Sequence, residues 1–337
     1  MLGRLAEVEP HLLDLYHLSS VGGRGGTIAN RLIRNGEVSL FDIRRQDLVD
    51  SKGRVGEWNR RQLVQIDYTR DNTEWFSDPL PQILASFQYP LYFIDFETTA
   101  LAVPYHAGMR PYEPVAFQWS CHTLEAPDAD PQHAEWINVE DAFPNFEFAE
   151  TLMQLLGRKG TVFMWASHEN TILRRILGQM DARRYRNPQL SAWLRWIVRD
   201  RGQNVGRLVD MNQLCLKHYF QPLMKGRTSI KVVCDAIWKS NPNLRADFPE
   251  YLKIQNGQVQ SPYASLPPLE INGQTVVVAE GTGAIRAYEA MMCGVEHDDE
   301  RLRERWKRLL LQYCKLDTLS MVFVWRHWVQ SIAHHLK

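Results

Sequence analysis

Cysteine is scarce in this chain, and what there is lies scattered. The five cysteines, at positions 121, 215, 234, 293 and 314, are odd in number and form no Cys-x-x-Cys pair. That argues against a disulfide framework and against a cysteine zinc site, so a reducing, cytoplasmic setting is expected. Net charge is lacking too, because 39 Lys and Arg are balanced by 39 Asp and Glu. A polyanion would therefore be met by a local basic face and not by a global field. No apolar run reaches the roughly 18 residues a membrane helix needs, so no membrane partner is expected. Met1-Leu2-Gly3-Arg4 leads into acidic residues without an apolar h-region, and no secretory signal is expected. Several catalytic signatures fail as well. His168-Glu169 opens a zinc-protease pattern, but Ile172 stands where the second His is needed. There is no Gly-Lys-Ser/Thr phosphate loop and no Gly-x-Ser-x-Gly elbow, and Gly281-Thr282-Gly283 lacks a third glycine.

What is present is an ordinary globular composition, 45 % hydrophobic over 337 residues, which at roughly 100–200 residues per domain suggests two units. Residues 1–86 read as a helical arm or subdomain, with helices over 11–20, 27–35, 57–70 and 81–87, and with loops at 22–26 and 50–56. The arm carries no cluster of catalytic residue types and is the place where a protein partner would dock. From Tyr89 the pattern changes. Strands are predicted over 91–98, 115–124, 133–139 and 161–166, with helices over 142–156, from 168, over 212–219 and over 230–238. Residues 240–280 read as an insertion with one short strand over 275–279. From about 298 runs a long helical signal, continuous or broken. The pattern implies an α/β fold with a mixed sheet covered by helices.

Carboxylates stand in places that should be apolar. In Leu91-Tyr92-Phe93-Ile94-Asp95-Phe96-Glu97 the alternation of a strand puts Phe93, Asp95 and Glu97 on one face and Tyr92, Ile94 and Phe96 on the other. Two adjacent carboxylates at the end of an apolar strand repel each other, and a divalent cation with its preference for oxygen ligands would relieve that; Arg or Lys partners at an exposed strand end would do so equally. Along the last helix Leu302, Trp306, Leu309 and Tyr313 form an apolar stripe, and Asp317 falls at its edge. Glu169 opens a helix behind Ser167, a good N-cap, where an acid also complements the helix dipole. Asp210 is a further candidate, and capping the helix after it is the plainer role.

In this order, the Asp-x-Glu strand, the Glu169-Asn-Thr-Ile172-Leu helix and the Tyr313-Cys314-Lys315-Leu316-Asp317 helix resemble the DEDD exonucleases of the RNase H-like fold. Tyr313, four before Asp317, matches the DEDDy type; the DEDDh type would want His five before it, where Gln312 stands. More closely, the chain resembles the uncharacterised bacterial domain-of-unknown-function family 2779, often fused behind RecB-like nuclease domains. That likeness is carried by Tyr92 to Glu97, Arg110-Pro111-Tyr112 with Phe117-Gln118, His168-Glu169, Val209-Asp210, Gly226 to Lys231 and Tyr313 to Thr318, over about residues 85–330. Two departures stand out: Glu169 where most relatives have Asp, and Trp165 where many have Asn. A RecB-like partner domain is not expected, since its Asp-x-Lys signature is met only by Asp50-Ser51-Lys52 in a polar loop.

The resemblance implies a DEDDy exonuclease-like domain over 87–337, in which Asp95, Glu97, Glu169 and Asp317 hold two Mg²⁺ or Mn²⁺ ions and Tyr313 orients the attacking water. The implied reaction is 3′→5′ hydrolysis of phosphodiester bonds in single-stranded DNA or RNA, in a setting such as repair or phage defence. A nuclease fold without turnover, binding nucleic acid or scaffolding a larger nuclease complex, is the alternative. Whether Glu169 or Asp210 completes the metal set stays open. Arg174, Arg175, Arg183, Arg184, Arg186, Arg195, Arg199 and Arg201, with Trp193 and Trp196 among them, suit a single strand whose bases stack and whose phosphates pair. Solvated helix faces with buried tryptophans account for them equally. For Lys231 a phosphate contact is weighed against a plain helix-start lysine.

Overall fold

The computed structural model describes residues 8–18, 28–49, 52–199, 207–266, 269–271, 274–276, 281–293 and 298–335. The glycine-rich loop at 22–26, the expected cap Thr27, the pair Asp50 and Ser51, and Arg201 lie outside them.

The N-terminal region is helical, as expected. Helices α1 (Ile28–Arg34) and α2 (Glu57–Asp71) pack with short 3₁₀ turns at Leu12–Asp14, Leu40–Asp42 and Arg45–Leu48 around Leu12, Leu15, Leu32, Leu40, Leu48 and Ile66. Where a helix is predicted over 11–20, the described residues form a 3₁₀ turn at Leu12–Asp14, capped by His11, whose Nδ1 accepts the Leu13 N–H at 2.9 Å. Within the region Gln65 bonds the Asp14 carbonyl and the Tyr16 N–H, both at 2.8 Å, and the Arg61 guanidinium joins it to the rest of the chain by donating to the Tyr219 carbonyl.

Strand β1 (Trp75–Phe76) and helix α3 (Leu80–Ala85) lead into the main sheet. Its strands are β2 (Leu91–Thr99), β3 (Val115–Leu124), β4 (Gln132–Ile137), β5 (Thr161–Met164) and β6 (Leu208–Asp210), in the spatial order β4-β3-β2-β5-β6. The first three pair antiparallel, whereas β2, β5 and β6 run parallel. Helices α4 (Asn145–Leu156), α5 (His168–Ala182) and α6 (Pro188–Ile197) connect the parallel strands on one face, where Ile94, Phe96, Phe148, Leu173, Trp193 and Leu194 share a core. Helix α7 (Met211–His218) follows β6, and β7 (Tyr219–Phe220) pairs with β1.

The other face is covered by α8 (Ile230–Ser240) and by a final helix, with α9 (Pro242–Asp247) beside them. The insertion holds more than the one expected strand. Two small hairpins form, β8 (Ile254–Gln255) with β9 (Gln258–Val259), and β10 (Leu269–Ile271) with β11 (Gln274–Val276). After α10 (Gly281–Cys293), helix α11 runs unbroken for 36 residues, Glu300–His335. It crosses β2 and β3 and buries Leu316, Leu319, Phe323 and Trp328 against the sheet and α8. The expected α/β class is met: a five-stranded mixed sheet flanked by helices, with a helical N-terminal region. No helix among the described residues is long and apolar enough to cross a membrane.

Candidate active site

Strand β2 lies in the middle of the sheet, so both of its faces are covered and every outward side chain must find a partner. The predicted alternation holds. Ile94 and Phe96 point to the α4 side, where the Phe96 ring meets Phe148 edge-on at 4.8 Å. Phe93 points the other way, stacked on Phe163 at 5.2 Å and close to Trp325 of α11. Asp95 and Glu97 share that second side, beneath α11. Between Glu97 and Thr98 the register with β3 slips, so that Glu97 pairs with Gln118 and Thr98 with Ala116, and Phe117 is the extra residue. A bulge of this kind ends regular pairing beside a site and re-aims side chains. Phe117 uses the freedom to stack on Tyr288 of α10 at 3.8 Å.

Helix α11 brings the late motif onto these carboxylates. Cys314 Sγ lies 3.4 Å from Asp95 Oδ2, and ligand atoms of Asp95, Glu97 and Cys314 lie within 4.8 Å of one another. One turn on, Thr318 fixes the helix against β3 through the Ser120 hydroxyl at 2.9 Å and His122 Nδ1 at 2.7 Å. Asp317 is buried between, in the same helix turn as Thr318.

Glu169 arrives from the adjacent parallel strand. β5 ends at Met164, and the first turn of α5 turns Glu169 inward, leaving it 2 % exposed with Oε2 lacking any hydrogen-bond partner. Ser167 stands at the N-cap but makes no side-chain capping bond, contrary to the expectation; its backbone φ of −106° and ψ of 11° leave the extended region that cap geometry needs. Asp210 caps α7 as its plainer role foresaw, accepting the N–H groups of Gln213 and Ala166, each at 3.1 Å.

The electrostatics follow from this crowding. Burial, and then the charge of Asp317, hold the Asp95 carboxyl well above the ordinary range. Burial raises Glu97 likewise, helped by Asp95, Asp317 and Glu169, and it raises Glu169, helped by Asp95 and Asp210. Asp317 is pushed up to about 6 by burial, held back by hydroxyl hydrogen bonds and by Lys231. This crowding of acids and one orphaned buried oxygen call for added positive charge, and Asp95 and Glu97 offer a divalent cation hard oxygen donors, with the Cys314 sulfur within 4.8 Å of both.

Two further residues complete the group. Lys231 is more than a helix-start lysine: from the first turn of α8 its Nζ donates to the Tyr313 hydroxyl at 2.6 Å and draws down Asp95, Glu97 and Asp317. Tyr263, from a 3₁₀ turn in the insertion, donates to Asp317 Oδ1 at 2.5 Å, while the Ser320 hydroxyl donates to Tyr263 Oη at 3.1 Å. Nothing in the sequence around Tyr263 signals this role. For Lys231 the signal was its place in the Gly226 to Lys231 segment. The stacking role entertained for Trp193 is corrected, because it is 1 % exposed and donates its indole N–H to the Gly157 carbonyl. Trp165, at the unusual position, is anchored by an indole hydrogen bond to the Thr228 carbonyl at 3.0 Å.

Fold and site together define an α/β protein with a buried acidic cluster at one end of the central strands. Residues 92–229 match a family described as a domain of unknown function (DUF2779). The matched stretch contains Asp95, Glu97, Glu169 and Asp210 and ends before Lys231, Tyr313 and Asp317. No curated protein and no solved structure matches the chain.

Proposed function

We propose that the chain is a metal-dependent exonuclease that hydrolyses phosphodiester bonds of single-stranded DNA or RNA, with 3′→5′ polarity implied by its DEDDy-like motif order. The observation that carries this reading is that ligand atoms of Asp95 and Glu97 lie within 4.8 Å of each other and of Cys314 on α11, with Glu169 from α5 and Asp317 from α11 buried close enough to raise Glu97. A buried cluster of acids is costly unless it is held for a cation. Asp95, Glu97, Glu169 and Asp317 would hold Mg²⁺ or Mn²⁺, two ions in the implied arrangement, supplying a water of lowered pKa and neutralising charge on the phosphate.

The chain's own groups do the rest. Burial and the adjacent carboxylates push the Tyr313 hydroxyl far up, so it stays protonated and serves as a donor that orients water, not as a base. Lys231 presents an ammonium beside that hydroxyl, where it can meet a phosphoryl oxygen that gains charge during attack. One observation favours the alternative of a non-catalytic nuclease-fold module: Tyr263 occupies the Asp317 oxygen that a cation would use.

End-labelled single-stranded DNA and RNA, incubated with the protein in Mn²⁺ beside Asp95→Ala and Asp317→Ala, decide between them. The expected result is a ladder shortening from the 3′ end, lost in both variants. Intact oligonucleotide, with no calorimetric heat of metal binding, overturns the reading.

A further inference from the structure

Beside the acidic cluster lies a polar cleft of about 620 Å³ at the ends of β5 and β6, walled by Asn170, Thr171, Arg174, Arg175, Arg199 and Asp210. Its volume falls in the range of ligand sites. Asn170 with Arg174 and Thr171 with Arg175 stand four apart on α5, so they project as two neighbouring rows. The third arginine is held in place: the Arg199 backbone N–H donates to Asn170 Oδ1 at 2.7 Å, Asn170 Nδ2 donates to the Arg199 carbonyl at 3.0 Å, and the guanidinium reaches the Leu208 carbonyl at 3.4 Å. Against these three guanidinium groups the described residues of the lining supply one carboxylate, Asp210, whose Oδ1 already accepts two backbone N–H groups. A chain with no net charge thus carries a local cationic wall.

The cleft and the cluster share a partition. Glu169 stands between Ser167 and Asn170 in the first turn of α5, both of which line the cleft, while its own side chain is buried at 2 % exposure. We infer that this cleft is a phosphate subsite that grips the phosphodiester backbone of a single strand next to the bond placed at the acidic cluster. The inference rests on the nuclease reading for the identity of the strand. Arginine forks suit diester oxygens, whereas among the described residues the lining offers Met164 as a large apolar group and no aromatic ring to take a base. The cleft therefore reads backbone and not sequence.

The test is anisotropy of a fluorescein-labelled single-stranded oligonucleotide titrated with the full chain in Ca²⁺ across a salt series, run beside cleavage in Mn²⁺. Arg174→Glu/Arg175→Glu is expected to weaken binding at least tenfold and to flatten the salt dependence by roughly 1.4, at about 0.7 for each phosphate that is no longer neutralised. Arg174→Lys/Arg175→Lys, which keeps the charge, retains most of the affinity and controls for folding, as does an unchanged melting temperature. Unchanged affinity and salt slope in the glutamate variant, with wild type still cleaving, overturns the subsite and leaves the nuclease reading intact. Arginine-dependent binding without cleavage by wild type keeps the subsite and overturns the catalytic reading. A mononucleotide 5′-phosphate that competes as well as the oligonucleotide overturns the strand assignment.

Discussion

The hydroxyl of Tyr263 donates to Asp317 Oδ1 at 2.5 Å, joining a residue of the insertion to a carboxylate 54 positions later on α11. That bond lowers the Asp317 carboxyl, which burial nevertheless holds up at about 6, and it also competes with any cation for the same oxygen. Tyr263→Phe removes both effects. Above pH 7, where Asp317 is ionised, Mn²⁺ affinity by calorimetry is expected to rise about tenfold, since a hydrogen bond to a charged group contributes roughly 1.5–3 kcal/mol. As pH falls, Asp317 in the variant takes up its proton sooner, so affinity is lost at a higher pH than in wild type. An unchanged affinity at both ends of the range would mean that Asp317 takes no part in binding the ion.

The acidic cluster should make the metal-free protein less stable than it could be. Asp95 has a folded pKa well above its unfolded value, so its contribution to stability is complete below the unfolded value and is lost as pH rises through the folded one. Asp95→Asn removes this loss. In EDTA at pH 7.5 its melting temperature is expected to exceed that of wild type by about 1–4 °C, given roughly 1–2 °C per kcal/mol once the unfolding entropy is scaled to this chain length. At pH 4 the gap should close. Mn²⁺ should raise the wild-type melting temperature far more than that of the variant, and calorimetric scanning at the two pH values checks both signs.

Lys231 predicts the opposite sign. Its ammonium bonds the Tyr313 hydroxyl and offsets Asp95, Glu97 and Asp317. In Lys231→Met the same carboxylates lose their nearest cation, and the EDTA-treated protein is expected to be destabilised by about 1–3 kcal/mol, the scale for a lost charged hydrogen bond. Mn²⁺ supplies positive charge to the cluster and should recover most of the loss. Cleavage should not recover with it, because the ammonium that faces the phosphate is gone. Melting curves with and without Mn²⁺, read beside the oligonucleotide ladder, separate the two contributions.

These relationships show where local sequence is informative. The β2 and β3 strands, and the shared face of Asp95 with Glu97, follow from two-residue alternation, which needs no knowledge of partners. The burial of Trp193 was legible as well, because Leu190, Trp193, Leu194 and Ile197 recur at helical spacing and all four are buried; mixing with arginines disguised it. Tyr263 was not legible. It sits in a Pro-, Asn- and Gln-rich stretch, and its partner is fixed only when the insertion folds back on α11. Lys231 stood out by its segment, but its pairing with Tyr313, 82 residues away, did not. Pairings of that range are set by topology, which the periodicity of a segment does not report.

Gly226 tests how the N-terminal region is joined to this framework. Its φ is +72°, and a Cβ there would lie 2.2 Å from the Asp14 carbonyl oxygen, 2.7 Å from the Tyr16 nitrogen and 2.8 Å from Gln65 Oε1. The first two obstacles are backbone and cannot swing aside. Lys225, just before it, has φ 47° and pairs its ammonium with Glu9 at 2.9 Å, so the turn is shaped to receive the incoming chain. A left-handed backbone costs an L-residue about 1–2 kcal/mol even without a clash. Gly226→Ala is therefore expected to cost at least about 2–4 kcal/mol once the contact must open, at the upper end of single-residue effects. Because the turn precedes the helix that bears Lys231, opening it should also loosen the Gln65 bonds to Asp14 and Tyr16. Hydrogen exchange at the Tyr16 amide, which Gln65 now protects, should accelerate in the variant ahead of global unfolding. Exchange that stays at the wild-type rate, with unaltered melting, would show that the N-terminal region does not rest on this glycine.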